Sequence, residues 1–452
     1  MNLLPRSTPE AQGASSAGIR AAIEALDALG GIHGVLVLRG GSVIAETWWQ
    51  PYEPQHQQLL FSVSKSVTST AVGLAIADGL FDLDSRVIDI LAEDAPADPD
   101  ENLAALTVRH LLTMTTGHAA ELMESLDRSE GSWVRTMLAE PVQHAPGSVF
   151  LYNTGATYLL SAIVQKTTGQ TLTQYLEPRL FAPLGITGAR WESSPEGIDV
   201  GGFGLRILLE DVALFGQLYL QHGQWNGAQL VPAEWIAEAT GFRVPSVGEV
   251  VHWTSGYGYQ FWQNRDGSYR ADGAFGQYCI VLDELDAVIA LTAGVTDTGM
   301  VLDAVFDSLV PALSAGVAAA EIPSTLHTPP PTASARAYSQ QYYFPTNPLR
   351  IATAGIVDSV LTIDGSSIPF GSGEWATGGS YRIEDVLEPV AASGGWVDDV
   401  HFVIELRAIE TPYVLTISIE LDGDTVDLRI AQNVALGPVP SWRLVGGISS
   451  GA

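Results

Sequence analysis

Apolar positions near the start of the chain change their spacing, and each spacing predicts a different element. In "SSAGIRAAIEALDAL" they recur at three- and four-residue intervals behind a serine, which predicts a helix over about residues 15–29. The next runs, "GVLVLRG" and "SVIAETWW", are strand-like and meet at Gly40 and Gly41, which is typical of a hairpin. A second helix, over about residues 63–78, is predicted directly after "FSVSK".

Helical and strand-like patterns alternate in blocks along the next two hundred residues. Between about residues 100 and 245 the pattern is mainly helical. Strand-like runs return at residues 256–263, 275–283 and 287–294, before a helix over about residues 299–316. Strands at both ends predict an α/β (α+β) fold with one five-stranded antiparallel sheet, flanking helices and an inserted helical lobe.

The character of the sequence changes near residue 330. A segment rich in Pro, Ser and Ala, which includes "HTPPPTASARA", is interpreted as a linker over residues 326–339. Residues 340–452 carry mostly strand-like runs separated by Gly and Asp-Gly turns, which predicts a small antiparallel β-barrel or sandwich. The sequence therefore predicts a first domain over residues 1–325 and an all-β domain over residues 340–452.

Composition and charge narrow the classes of function. With 46% hydrophobic residues in 452, the chain can bury a large core. Its net charge of -30 repels nucleic acid and anionic membranes, so neither is expected as a partner. The first residues lack an apolar segment of signal-peptide length and no apolar run is long enough to span a bilayer, so we expect a soluble, cytoplasmic protein. The single cysteine, Cys279, lies in the apolar run "QYCIVL" and is interpreted as a buried small side chain.

Candidate chemistry begins in "FSVSKSVTST", where a serine stands three positions before one of only two lysines in the chain. Residues three apart on a helix share a face, so Lys65 can act on Ser62. A lysine serves as a base when its pKa is lowered, which an always-protonated arginine does not allow. The helix start also places a backbone N–H and the positive end of the helix dipole where an oxyanion would form.

Two further segments can adjoin the same site. In "PGSVFLYNTGATYLL", Tyr152, Asn153 and Thr154 follow a Pro-Gly turn and precede a helix, so their side chains can face a cleft. A phenol near a lysine can carry a proton between nucleophile and leaving group, although Tyr152 alone also fits a half-buried aromatic residue. In "RADGAFGQYCIVL", Gly273 and Gly276 mark either a close approach of a ligand or backbone, or a bend. No spacing of His and Cys predicts a metal site.

Taken together, these segments resemble the serine β-lactamase and penicillin-binding protein superfamily. The resemblance is to the branch of class C β-lactamases, family VIII carboxylesterases, D-aminopeptidases and 6-aminohexanoate-oligomer hydrolases, and it covers about residues 5–315. It rests on "FSVSKSVTSTAVGLAI", "LTVRHLLTMTTG", "PGSVFLYNTGATYLLSAIVQKTTG" and "GLRILLEDVALFGQLYLQHGQWNGAQLVPAEW". It implies a β-lactamase-like sheet flanked by helices, with no cofactor and no metal.

The resemblance also implies a role for each candidate residue. Ser62 would be the acylated nucleophile, Lys65 its general base, and Tyr152 the group that protonates the leaving group. The oxyanion hole would use the backbone N–H groups of Ser62 and Ala274. Because lysine and tyrosine share the proton traffic in this family, we assign the base to the pair.

Two positions depart from the family's motifs. The common Tyr-x-Asn motif stands here as Tyr-Asn-Thr, which leaves open whether Asn153 or Thr154 takes the amide's role in orienting substrate. The Lys-Thr-Gly motif of β-lactamases is replaced by Ala-Asp-Gly, ending at Gly273. A carboxylate at Asp272 would repel the ligand carboxylate that a cation binds in β-lactamases. We therefore expect neutral esters or amides, or substrates with an amine near the scissile bond.

The sequence thus predicts a serine hydrolase that cleaves small-molecule esters or amides through an acyl-enzyme. One alternative is a β-lactamase or D-amino-acid peptidase. Another is an inactive, penicillin-binding-like module that binds a ligand or partner. The C-terminal domain is expected to cap the cleft, to mediate a homodimer or only to stabilise the chain, and these three options stay open.

Overall fold

The computed structural model describes residues 4–126, 131–248, 250–316, 318–328, 334, 336, 338–383 and 386–448. Part of the predicted linker, residues 329–333, 335 and 337, lies outside the described residues. The domain boundaries therefore stay a prediction. Strands and helices are given below with their bounds in chain order.

In the first part of the chain, the long strands lie near its beginning and near its end, and short strands lie between them in the sequence. They are β1 (Ile32–Arg39), β2 (Ser42–Gln50), β3 (Gln58–Leu59), β4 (Arg206–Ile207), β5 (Gln224–Trp225), β6 (Ala228–Gln229), β7 (Trp262–Gln263), β8 (Tyr269–Gly273), β9 (Gln277–Leu282), β10 (Ala287–Ala293) and β11 (Thr325–His327). The hairpin between β1 and β2 turns at Gly40 and Gly41, whose φ values of 57° and 71° suit glycine.

Helices fill most of the sequence between these strands. They are α1 (Ser16–Leu29), α2 (Val63–Ala77), α3 (Val87–Ile90), α4 (Glu101–Ala105), α5 (Val108–Leu112), α6 (Trp133–Ala139), α7 (Thr154–Thr168), α8 (Leu172–Leu176), α9 (Ala182–Leu184), α10 (Leu209–Leu220), α11 (Ala233–Thr240), α12 (Thr298–Ala304) and α13 (Val310–Ala312). Short 3₁₀ turns lie at Glu10–Gln12, Leu122–Ser125, Val251–Trp253 and Asp283–Leu285, and π-helical turns at Glu177–Phe181 and Val305–Leu309. Within the described ranges, no helix is both long and apolar enough to cross a membrane.

The main sheet has seven strands, in the order β11-β2-β1-β10-β9-β8-β7. Neighbours run antiparallel, except that β11 pairs parallel with β2. The predicted antiparallel sheet is therefore present, but five strands was too few, because the short strands β7 and β11 extend its two edges. The run at residues 256–263 forms only β7, since Gly256 and Gln260 interrupt the extended backbone with φ values of 115° and 67°. The fifth long strand is β8.

Both faces of this sheet are covered. Along β1, Leu36 and Leu38 face a core shared with α2, α7 and α10, while Val35 and Val37 face a second core shared with α1 and α12. Burial on both faces explains why β1 reads as a continuous apolar run rather than an alternating one. The helical lobe built around α2 and α7 belongs to the first of these cores.

The C-terminal part is all β, as predicted. It contains β12 (Ser339–Tyr343), β13 (Thr353–Val357), β14 (Val360–Ile363), β15 (Ser366–Pro369), β16 (Ala376–Ile383), β17 (Val386–Trp396), β18 (His401–Ala408), β19 (Val414–Asp422), β20 (Thr425–Gln432) and β21 (Ser441–Gly447). These ten strands form one antiparallel sheet in the order β15-β14-β13-β12-β21-β20-β19-β18-β17-β16.

This ten-stranded sheet curls into a barrel. Its edge strands β15 and β16 approach each other closely, since a Cβ built on Gly379 would lie 3.1 Å from the Ile368 side chain. Alternate residues such as Phe402, Ile404 and Leu406 point inward and fill the interior. The same core takes in Leu59, Phe61 and Phe275 from the first part of the chain, so the barrel packs directly against it.

Candidate active site

The candidate nucleophile stands at the start of a buried helix. Ser62 directly precedes α2 and already has helical dihedral angles, with φ of -72° and ψ of -7°. Lys65 lies on the same face three residues later, and its Nζ donates a hydrogen bond to Ser62 Oγ at 2.8 Å. The spacing in the sequence therefore brings these two side chains into contact.

The Lys65 amine is buried among neutral hydrogen-bond acceptors. Its side chain is 1% exposed, and Nζ also donates to Gly202 O at 2.8 Å and to Thr154 Oγ1 at 3.3 Å. Burial lowers the pKa of this amine to about 7, although the carboxylates of Glu121 and Asp272 act in the opposite direction. Near neutral pH a large fraction of Lys65 is therefore unprotonated, as a general base requires.

Tyr152 completes a group of three side chains. Its ring centroid lies 4.9 Å from Lys65 Nζ, and the ring stacks on Trp262 at 5.5 Å. Burial raises the pKa of the Tyr152 phenol well above its usual value, although a hydrogen bond with Ser62 opposes this. The phenol therefore stays protonated at neutral pH and is available as a donor.

Strand β8 runs close to the start of α2. A Cβ built on Gly273 would lie only 2.4 Å from Leu60 O, so glycine permits the strand to pack against the residues that lead into Ser62. Ser62 and Ala274, the two residues whose backbone N–H groups were predicted to form an oxyanion hole, line the same cavity. Gly276 instead forms a tight turn, with φ of 94° and a Cβ position 3.0 Å from the Ala293 side chain.

The two candidates for the orienting amide lie in different places. Asn153 is fully buried outside the cavity lining, and its Oδ1 accepts hydrogen bonds from the backbone N–H groups of Ala156 and Leu122, both at 3.3 Å. Asn153 caps α7 through this oxygen, and its side chain does not line the cavity. Thr154 lines the cavity beside Lys65.

Asp272 lines the cavity as a paired carboxylate. It accepts hydrogen bonds from Arg270 Nε and Trp253 Nε1, both at 2.9 Å, and Arg270 is completely buried. Burial raises the pKa of the Asp272 carboxyl, and the Arg270 guanidinium opposes this. Sequence reasoning missed Arg270, although residues two apart on a strand share a face and the run "RAD" contained that information.

Glu121 is a further residue that the sequence did not indicate. Its Oε1 accepts hydrogen bonds from the backbone N–H groups of Met123 at 3.1 Å and Gly155 at 3.0 Å, which hold the carboxylate beside the cavity. From there its charge favours the ammonium form of Lys65. No motif marks Glu121, because it reaches the site through the fold of the helical lobe.

These side chains surround a cavity of about 580 Å³. The barrel supplies part of its wall, which sequence reasoning could not place, through Ile383, Val386, Glu388, Tyr413 and Leu436. Glu388 forms a buried, two-pronged ion pair with Arg206, with N–O distances of 2.5 and 3.0 Å. Other lining residues are mainly apolar: Leu59, Phe61, Met123, Phe203, Trp253 and Trp262. Among the described residues, no group of three or more His, Cys, Asp or Glu side chains could hold a metal ion.

This fold and this site together define a β-lactamase-like class of protein. Comparison with known families indicates the same class. The family model described as "Beta-lactamase" matches residues 19–305. Because that match covers more than half of the 452 residues, the chain belongs to the β-lactamase family.

Curated relatives match over shorter stretches. The chain is 27% identical over 216 residues to a 6-aminohexanoate-dimer hydrolase from Paenarthrobacter ureafaciens, covering 44% of this chain and 55% of that protein. It is 30% identical over 173 residues to esterase EstB from Burkholderia gladioli, covering 34% and 43% of the two chains. A lovastatin esterase from Penicillium rubens is 28% identical over 171 residues, covering 31% and 42%. The chain thus spans about half the length of these relatives.

Solved structures share the fold. The octameric penicillin-binding protein homologue from Pyrococcus abyssi has a TM-score of 0.53 and 15% identity, and the match covers 94% of this chain and 98% of that one. A penicillin-binding protein homologue from Caulobacter crescentus has the same TM-score of 0.53 at 17% identity, covering 64% and 96%. The first likeness extends into the C-terminal part, whereas the second covers less of this chain.

Proposed function

We propose that the protein is a serine hydrolase that cleaves esters or amides through an acyl-enzyme on Ser62. The observation that carries this proposal is the buried amine of Lys65, which lies 2.8 Å from Ser62 Oγ. Its pKa of about 7 makes it a usable base at neutral pH. Relatives named as esterases and as a 6-aminohexanoate-dimer hydrolase are consistent with this reaction class.

In the proposed reaction, Ser62 Oγ attacks the substrate carbonyl carbon while its proton passes to Lys65. The carbonyl oxygen becomes an oxyanion that accepts hydrogen bonds from the backbone N–H groups of Ser62 and Ala274. The tetrahedral intermediate collapses as the leaving alcohol or amine takes a proton from the Tyr152 and Lys65 pair. Water, deprotonated by the same pair, then attacks the acyl-enzyme and releases the acid, which restores Ser62.

The cavity favours substrates without a negative charge near the scissile bond. Its apolar wall suits a hydrophobic acyl or leaving group. Of the carboxylates that line it, Asp272 is paired with Arg270 and Glu388 with Arg206, whereas Glu121 accepts hydrogen bonds from backbone N–H groups. The Arg206 guanidinium beside them is already paired with Glu388. Neutral esters and amides, or substrates bearing an amine, therefore fit this field better than anionic ones.

The test combines active-site labelling with a hydrolysis panel. We expect a fluorophosphonate probe to add to Ser62 in the folded protein, as located by mass spectrometry of the digested adduct. Ser62→Ala should lose both labelling and hydrolysis. Ser69→Ala is the matched control, because Ser69 is buried in the same helix with a hydroxyl that has no hydrogen-bond partner among the described residues.

The panel compares short p-nitrophenyl esters, D-amino-acid amides, linear amide oligomers and a cephalosporin. We expect the neutral esters or the amides to be hydrolysed fastest. Absence of an adduct on Ser62 in folded protein would overturn the acyl-enzyme proposal and favour a binding module. Saturating cephalosporin hydrolysis well above the ester rate would instead show that the substrate class is wrong.

A further inference from the structure

We propose that the C-terminal barrel holds the oxyanion hole in shape, and that Tyr413 is the positioning residue through which it acts. This inference rests on the proposed function, since it concerns the backbone N–H groups of Ser62 and Ala274. According to this inference, the barrel holds the two backbone donors in position, in addition to lining the cavity. Three independent features of the structure lead to it.

The first feature is the backbone on either side of the hole. Phe61 directly precedes Ser62 and has a φ of 46°, and Phe275 directly follows Ala274 and has a φ of 64°. Both residues are therefore left-handed, a conformation that bulky side chains rarely adopt unless their surroundings impose it. Each proposed donor thus has a strained phenylalanine as its neighbour, and something must hold those two residues in place.

The second feature is the packing of the two phenyl rings. Phe61 and Phe275 meet edge to face with centroids 5.1 Å apart. The ring of Tyr413, from the barrel, lies 6.5 Å from Phe61 and 6.3 Å from Phe275. Tyr413 is 5% exposed, so the three rings form a closed cluster at the contact between the barrel and the first part of the chain. One barrel residue thereby touches both strained neighbours at once.

The third feature is how firmly the turn before Tyr413 is attached. Glu410 O accepts a hydrogen bond from the backbone N–H of Leu59 at 2.8 Å, and Ile409 O accepts one from Gln58 Nε2 at 2.8 Å. These bonds fix the turn to β3, three residues before Ser62. On the other side, Asn433 Nδ2 donates to Pro412 O at 2.9 Å and to Gly294 O at 3.1 Å.

That second attachment reaches the Ala274 side of the hole. The backbone N–H of Val295, the residue after Gly294, donates to Phe275 O at 3.2 Å. The turn at residues 409–413 is therefore connected by hydrogen bonds to both segments that carry the proposed donors. Oxyanion stabilisation depends on donors held about 2.7–3.1 Å from the developing charge, so a small relaxation of either segment reduces it.

Loss of the Tyr413 ring should therefore slow acylation more than it weakens substrate binding. In Tyr413→Leu we expect kcat to fall roughly 10- to 100-fold, less than the loss of a whole oxyanion donor, with KM within about twofold. Tyr413→Phe keeps the ring and should stay within about threefold of the wild-type kcat. Tyr342→Leu is the matched control, because Tyr342 is 3% exposed in the same barrel core but does not line the cavity.

Each of three results would overturn the proposal. Tyr413→Leu could keep its kcat while KM rises, which would make Tyr413 only a wall of the cavity. Tyr413→Phe could fall as far as Tyr413→Leu, which would make the hydroxyl the important group. Tyr342→Leu could lose as much kcat as Tyr413→Leu, which would indicate a general loss of stability. Thermal unfolding of all three variants shows whether they are folded at the assay temperature.

A double-mutant cycle tests the route of the effect. If Tyr413 acts through the ring cluster, Tyr413→Leu in a Phe275→Leu background should cost clearly less kcat than in the wild type. Fully multiplicative losses would contradict that route. Fluorophosphonate labelling separates this proposal from the one on which it rests: wild type and Tyr413→Leu should both reach full occupancy of Ser62, with the variant reacting more slowly. No adduct in the wild type would mean that the proposed function itself fails.

Discussion

The pH dependence of hydrolysis follows from the burial of Lys65 and can be worked out in magnitude. An ordinary lysine, with a pKa of about 10.4, is unprotonated in only about one molecule in 2500 at pH 7. With the pKa lowered to about 7, half of the Lys65 side chains are free amines at that pH. Burial therefore increases the available base roughly 10³-fold. We expect kcat/KM to fall about tenfold per pH unit below pH 7 and to level off above it.

Two substitutions make this prediction specific to Lys65. Lys65→Arg places a guanidinium with a pKa above 12 at the base position, so fewer than about one in 10⁵ is free at pH 7 and activity should fall by at least about 10⁴-fold. Glu121→Gln removes a carboxylate that favours the ammonium form, so the acid limb should move to lower pH. Glu24→Gln, on the exposed side of α1, is the control and should leave the limb in place.

The assay is the steady-state kcat/KM for a p-nitrophenyl ester between pH 5 and 9. An activity that stays flat across this range would refute the reasoning, as would a Lys65→Arg variant that keeps a tenth of the wild-type rate. A limb that moves to higher pH in Glu121→Gln would show that the sign of the electrostatic coupling is wrong. The position of the limb is the quantity compared, because Glu121 lines the cavity and its loss also changes absolute rates.

Two further predictions concern stability and are checked by urea unfolding. The pKa of Lys65 is about 7 in the folded protein and about 10.4 in the unfolded chain. Between these values the unfolded chain binds a proton that the folded protein does not, so the free energy of unfolding rises with pH, and this gain is lost as the pH falls to 7. The wild type should therefore gain about 2–3 kcal/mol over Lys65→Met between pH 7 and 9, and equal changes would contradict the lowered pKa. Arg206→Gln should cost about 3–5 kcal/mol, because it leaves the buried Glu388 without its partner. Arg190→Gln, which breaks an exposed ion pair with Glu410, should cost less than about 1 kcal/mol, and similar costs for both arginine variants would refute the argument from burial.

Local sequence was sufficient for the elements that depend on near neighbours. The helix start at Ser62, its contact with Lys65 and the hairpin at Gly40 and Gly41 all follow from residues within four positions of one another. The all-β character of the C-terminal part follows from alternation along single strands. Each of these features is decided before the distant parts of the chain meet.

The features that the sequence did not predict depend on contacts between residues far apart in the chain. Residues 256–263 have strand-like composition, but Gln260 has a positive φ. Its side-chain amide donates to Leu112 O and accepts from Thr157 Oγ1, both more than 100 residues away in the sequence. The sequence left open whether Asn153 or Thr154 faces the cavity, and only the folded chain places Thr154 there and Asn153 at the start of α7. The barrel wall of the cavity, including Glu388 and Tyr413, is separated from Ser62 by more than 300 residues of sequence. No local pattern contains these contacts.

Lys65 differs from the arginines beside the cavity in the groups that its side chain contacts. Arg206 and Arg270 are nearly as buried, but each forms an ion pair with a carboxylate, Glu388 or Asp272, which compensates its charge. The hydrogen bonds of Lys65 go instead to two hydroxyl groups and a backbone carbonyl. Without a carboxylate in direct contact, the cost of burying the ammonium is relieved mainly by losing the proton. The hydrogen-bond partners therefore decide whether a buried basic side chain stays charged or can lose its proton near neutral pH. A carboxylate introduced at position 154, as in Thr154→Glu, should raise the pKa of Lys65 and keep its amine charged.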